Sequence, residues 1–149
     1  MSGVLLASRD AGILTLTLNR PDKRNALSAE LIAALASAVR DAELDAAVRV
    51  VLLRGSGRDF CAGADLAELL VSADRAPAEN EAEALRLGEL FLALRALPKP
   101  VVAAVQGNTL AGGCGLATAC DLVYVAEDAQ IGYPPVRAMS TPDCAYIHG

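Results

Sequence analysis

Three apolar runs, "VRVVLLRG" (48–55), "PVVAAV" (100–105) and "DLVYVA" (121–126), narrow the choice of fold more than anything else in the chain. Runs of this length, rich in Val, read as buried strands, and the first, bounded by Gly55, as a strand covered on both faces. Between the first two lies "EAEALRLGELFLALRAL" (81–97), an amphipathic helical pattern that stops before Pro98. Ahead of them Ser28 offers an N-cap for "AELIAALASAVRDAELD" (29–45), where Leu31, Leu35 and Val39 define one apolar face. Buried strands alternating with helices give the α/β class.

The remaining elements fit that plan. "VLLAS" and "GILTLTLNR" read as two strands joined by a turn at Asp10, Ala11 and Gly12. Leu14, Leu16 and Leu18 alternate with Thr15, Thr17 and Asn19, the mark of a half-buried strand. "LAELL" (66–70) is a short helix, and the polar, Ala-rich stretch from Ser72 to about Glu81 reads as a mobile segment. "GLATAC" (115–120) is a further helix and "AQIGY" (129–133) a last short strand. The β-β-α alternation repeats without sequence repeats or linkers, so 149 residues suit one domain.

Composition excludes several function classes. A net charge of −5 without a basic block argues against nucleic-acid binding. No apolar run approaches the ~20 residues of a membrane helix, so the expected location is the cytoplasm, with no membrane partner. Cys61, Cys114, Cys120 and Cys144 form no C-x-x-C pair and read as small buried hydrophobes. His148 is the single histidine, which disfavours a His triad or a multi-His metal site.

Two glycine-rich stretches follow apolar runs: "FCAGAD" (60–65) and "LAGGCG" (110–115), the latter inside "GNTLAGGCGLATACD". If their strands are neighbours, both loops lie at one sheet edge, where α/β proteins bind ligands. Each can present a free backbone N–H, and two converging donors suit a thioester oxygen turning into an enolate. Tight structural packing is the competing account of the same glycines. A dinucleotide site fits poorly, because "GGCGLA" carries only the G-x-G part of that fingerprint and Glu127 lies too near. No G-K-[ST] is present, which removes a P-loop.

Read together, "LTLNRPDKRNALSAELIAAL", "VVLLRGSGRDFCAGADLAEL" and "PKPVVAAVQGNTLAGGCGLATACDLVYVAEDAQIGYPPV" resemble the enoyl-CoA hydratase/isomerase (crotonase) family over almost the whole chain. The resemblance implies a crotonase-like β-β-α spiral core that binds acyl-CoA thioesters, with residues 1–149 forming an incomplete acyl-CoA-binding domain truncated before its C-terminal helices. It implies an oxyanion hole made by the N–H groups of Ala64 and Gly112. Asp65 and Leu66 would continue the acyl-CoA contact segment, and the Ala62 carbonyl would face the adenine. Lys23 or Arg24 would pair with the CoA phosphates, and Ala26 would line the pantetheine path. Coenzyme A enters as part of the substrate; no metal or other cofactor is implied. Homo-oligomers, trimers or pairs of trimers, are the implied assembly.

The departures from the family pattern bear on the reaction. Gly115 and Pro135 stand where hydratases of the family carry their two glutamates, so hydration by that pair is not expected. Asp143, eight residues after Pro135, occupies a position where isomerases and dehalogenases of the family carry a catalytic aspartate. A proton-shuttling isomerase is therefore favoured over a hydratase. A silent acyl-CoA-binding module, or another enolate or thioester reaction such as hydrolysis, dehalogenation or decarboxylation, is the alternative. For Asp143 itself, a turn or helix-cap role is the competing account.

Overall fold

The computed structural model describes residues 3–133. Strands β1 (Leu5–Asp10) and β2 (Ile13–Leu18) pair antiparallel through a tight turn in which Ala11 and Gly12 both take positive φ, 50° and 82°. That is the backbone twist a two-residue hairpin requires. After β2, a single 3-10 turn at Pro21–Lys23 leads to helix α1 (Ala29–Leu44). The Ser28 hydroxyl accepts from the Leu31 N–H at 3.2 Å, the cap expected from sequence. Strand β3 (Val50–Gly55), helices α2 (Leu66–Ser72) and α3 (Pro77–Ala96), and strands β4 (Val101–Val105) and β5 (Asn108–Leu110) follow. Helix α4 (Gly112–Thr118) and strands β6 (Leu122–Val125) and β7 (Gln130–Gly132) complete the described elements.

One five-stranded sheet runs in the order β1-β2-β3-β4-β6, parallel from β2 onward, and a small parallel pair β5-β7 stands apart from it. One face of the sheet carries Leu14, Leu16, Leu18, Val51, Leu53, Val101 and Ala103 into the core. There they meet Leu31, Leu35 and Val39 of α1 and Leu90 and Leu94 of α3. Each of the Leu and Val side chains withdrawn from water stabilises the fold by about 1.5–3 kcal/mol.

Four sequence readings are corrected. Strand β3 is not covered on both faces: Val51 and Leu53 are buried, Val50 and Leu52 only half-buried, and Arg54 is exposed. All of β6 is exposed, although it reads as a buried run. It lies at the end of the sheet order and none of its residues joins the core cluster. Helix α3 begins at Pro77, so half of the segment expected to be mobile is helical; proline suits the first helical position, where no N–H is needed. Strand β5 was not foreseen, because "NTL" is too short and polar to stand out in a glycine-rich stretch.

Candidate active site

Because β3 and β4 are parallel neighbours, the segments that follow them leave the sheet at one edge. Two main-chain bonds and one to a side chain then stitch these segments together. The Phe60 N–H donates to the Gln106 carbonyl (2.8 Å), the Leu110 N–H to the Cys61 carbonyl (3.0 Å), and the Asn108 N–H to the Asp59 carboxylate (2.8 Å). Glycine makes this approach possible. A Cβ on Gly113 would sit 2.1 Å from the Cys61 carbonyl oxygen, which no side chain tolerates. Gly63, at φ +100°, brings its own backbone against Leu110 and Gly112. Packing and site geometry thus use the same glycines.

A third segment, 20–29, closes against the loop after β3. The Leu27 N–H donates to the Gly63 carbonyl (2.7 Å) and the Ala62 N–H to the Arg24 carbonyl (3.0 Å). Asn25, fully buried at φ 55°, accepts from the Arg20 N–H and donates to the carbonyls of Ser56 and Asp59. Asparagine tolerates that left-handed backbone better than most residues. The Arg20 guanidinium donates to the Ala26 carbonyl (2.7 Å) and to the Asp65 carboxylate (2.8 Å), with only 17% and 8% of the two side chains exposed. The other Asp65 oxygen accepts from the Glu68 N–H and caps α2. That N–H first, and then Arg20, hold the Asp65 carboxyl below its ordinary value.

Between these segments and α3 lies a cavity of about 400 Å³, the size range of small-molecule sites. Ala64, Asp65 and Gly112 line it, together with Leu27, Ile32 and Leu87. Among the described residues, neither the Ala64 N–H nor the Gly112 N–H donates to a protein acceptor. Its three carboxylates are already engaged. Asp65 holds Arg20, Glu68 accepts from the Ala29 N–H at 3.0 and 3.1 Å, and Glu83 pairs with Arg75.

The other sequence candidates fall around this cavity. Lys23 and Arg24 are exposed on the 3-10 turn and its cap, with no ion pair among the described residues. Ala26 spends its backbone groups within the 20–29 segment, half-buried Ala62 bonds across to Arg24, and Leu66 is 76% exposed; none of the three lines the cavity. A Cβ on Gly115 would lie 2.9 Å from the Phe91 ring. Asp143 and Pro135 lie outside the described residues, as do Cys144 and His148. The other three cysteines are buried and free, and burial pushes the Cys61 and Cys120 thiols up to about 11 and about 12. Sequence reasoning passed over Arg20, Asn25 and Glu68, whose partners lie in segments distant along the chain.

The family model described as enoyl-CoA hydratase/isomerase matches residues 8–147. The chain belongs to the enoyl-CoA hydratase/isomerase family. Its crotonase fold has close counterparts among solved structures. An enoyl-CoA hydratase of Mycobacterium smegmatis superposes with a TM-score of 0.83 at 40% identity, over 92% of this chain and 52% of that one. The 2,3-dehydroadipyl-CoA hydratase of Escherichia coli is 39% identical over 132 residues, 89% of this chain and 50% of that protein. The 1,2-epoxyphenylacetyl-CoA isomerase of Escherichia coli is 36% identical over 146 residues, 97% of this chain and 55% of that protein. The chain thus spans about half the length of the relatives it matches. Among the described residues no helix is long and apolar enough to cross a membrane. Nor do those residues hold a group of three or more His, Cys, Asp or Glu suited to a metal ion.

Proposed function

We propose that this chain carries the thioester-binding half of an acyl-CoA isomerase or hydratase of its family. The observation that supports it most is the pair of N–H groups, Ala64 and Gly112, lining one cavity without a protein acceptor among the described residues. Aimed at a thioester oxygen, they form an oxyanion hole that stabilises the negative charge arriving there as the α-proton leaves. Lys23 or Arg24, free in solvent beside the loop, attracts the CoA phosphates. The acyl-CoA is the substrate, its CoA moiety needs no separate cofactor, and assembly into homo-oligomers follows the family.

Double-bond isomerisation is favoured over hydration. Water addition in the family uses two glutamates, and Gly115 and Pro135 stand at their positions. Isomerisation needs one shuttling base: a carboxylate takes the proton from C2 of a 3-enoyl thioester, and charge moves onto the thioester oxygen. The proton returned at C4 leaves the double bond at C2. Asp143 is assigned that shuttle.

The engaged state of Asp65, Glu68 and Glu83 favours a second reading, a catalytically silent acyl-CoA-binding module. Titration of the chain with crotonyl-CoA and with CoA, followed by 3-enoyl-CoA turnover, separates the readings. Tighter binding of the thioester, abolished by Gly112→Phe, supports the oxyanion hole; equal binding of both refutes it. Turnover lost in Asp143→Asn with binding retained supports the isomerase, whereas no turnover by the unaltered chain leaves the binding module.

A further inference from the structure

Resting on the oxyanion-hole reading, we infer that Arg20 is a positioning residue: its guanidinium bridges two loops and thereby fixes where the Ala64 N–H points. Ala64 sits opposite Leu27 in an isolated parallel bridge whose hydrogen bonds fall to its flanking residues, so the 20–29 segment holds both sides of Ala64 while its own N–H stays undonated. On one side Gly63 accepts from the Leu27 N–H and Ala62 donates to the Arg24 carbonyl. On the other, Asp65 is held by Arg20 through one oxygen and caps α2 through the other. The bridging fork also grips the Ala26 carbonyl, one residue before Leu27, so one planar group sets the spacing of both strands of the clamp. Ala64 is left as the exposed, unbonded crest of a segment restrained at each flank.

This changes what Asp65 does. Only 8% of its side chain is exposed, and both carboxylate oxygens are spent inside the protein. It acts as the counterpart of Arg20, so its side chain orders the loop while the adjacent backbone faces the ligand. The guanidinium fork matters here as much as its charge, since an ammonium reaches Asp65 or Ala26 but does not hold the two in fixed register. Position matters because misplacing a donor by about 1 Å costs on the order of a hundredfold in a reaction that depends on it.

Arg20→Gln and Arg20→Lys in the full chain test the role. Each is titrated with CoA and with crotonyl-CoA, with thermal unfolding and circular dichroism recorded in parallel. The readout is the ratio of the two dissociation constants, which global loosening does not move. The expected result is a folded Gln variant whose thioester preference falls about tenfold, with Lys intermediate, because a displaced donor loses most of its share of the oxyanion hole. If the Gln variant fails to fold, a reduced ratio in the Lys variant supports the role and an unchanged one overturns it. Folded variants that keep the wild-type ratio, or that lose both affinities by one factor, overturn it as well. A wild-type chain with no thioester preference sinks the oxyanion-hole reading itself, and this role with it.

Discussion

Gly113→Ala probes whether the two glycine loops are locked together as the structure has them. The added methyl starts 2.1 Å from the Cys61 carbonyl oxygen, 2.8 Å from its carbon and 2.9 Å from the Cys61 Cβ. Ordinary contact begins at 3.4 Å, so α4 and the Cys61 loop must separate by about 1.3 Å. Both partners are backbone, and Cys61 also accepts the Leu110 N–H, so no rotamer change relieves the clash. Overpacking of this kind destabilises by about 1–3 kcal/mol. The same separation moves Gly112 relative to Ala64, because Gly63 lies against Gly112 across the same seam. A shift of about 1 Å between two cooperating donors lowers their joint effect on the order of a hundredfold. The assay is urea unfolding together with titration of crotonyl-CoA against CoA. Gly88→Ala is the control: its Cβ meets nothing within 4 Å on α3, and alanine there stabilises the helix by about 1 kcal/mol. A Gly113→Ala protein with wild-type stability and thioester preference would refute the reasoning.

Three further outcomes follow from the same geometry. Gly115→Glu does not install water addition, even when Phe91→Ala clears the ring that stands 2.9 Å from the new Cβ, because Pro135 still occupies the position of the second glutamate; measurable hydration of crotonyl-CoA by either variant would contradict the two-glutamate reasoning. Ala111 holds φ 48° and ψ −114°, a strained backbone for a residue with a Cβ, so Ala111→Gly raises stability by about 1 kcal/mol in urea unfolding. Asp65 titrates below its ordinary value in the folded protein, so its contribution is present above the ordinary carboxylate value of 3.8 and is lost as pH falls through the folded value. Asp65→Asn therefore flattens the part of the acid limb of a stability profile that lies below the ordinary carboxylate value, while leaving the slope due to Asp45; an unchanged acid limb counts against the Asp65 assignment.

Local pattern made part of this legible. The alternation of Leu14, Leu16 and Leu18, the Ser28 cap, and the Leu31, Leu35, Val39 stripe each follow from the geometry of one element, and each appears as expected. The two glycine loops were legible as a pair once β3 and β4 were placed side by side. What was not legible depends on partners far along the chain. Strand β6 is as apolar as β4, and only its place at the end of the sheet leaves it exposed. The length of α3 turned on Pro77 opening a helix, where its surroundings read as loop.

The sequence by itself determined the α/β class, the order of the principal helices and strands, and the two glycine-rich turns, because hydrophobic period, capping and backbone freedom act within a few residues. Only the tertiary structure decided that the Asp65 carboxylate pairs with Arg20, 45 residues away, and that Phe91 occupies the space beside Gly115. Those outcomes are set by which loops the sheet brings together, and the energy of a buried charge or a blocked Cβ depends on neighbours that no local pattern names.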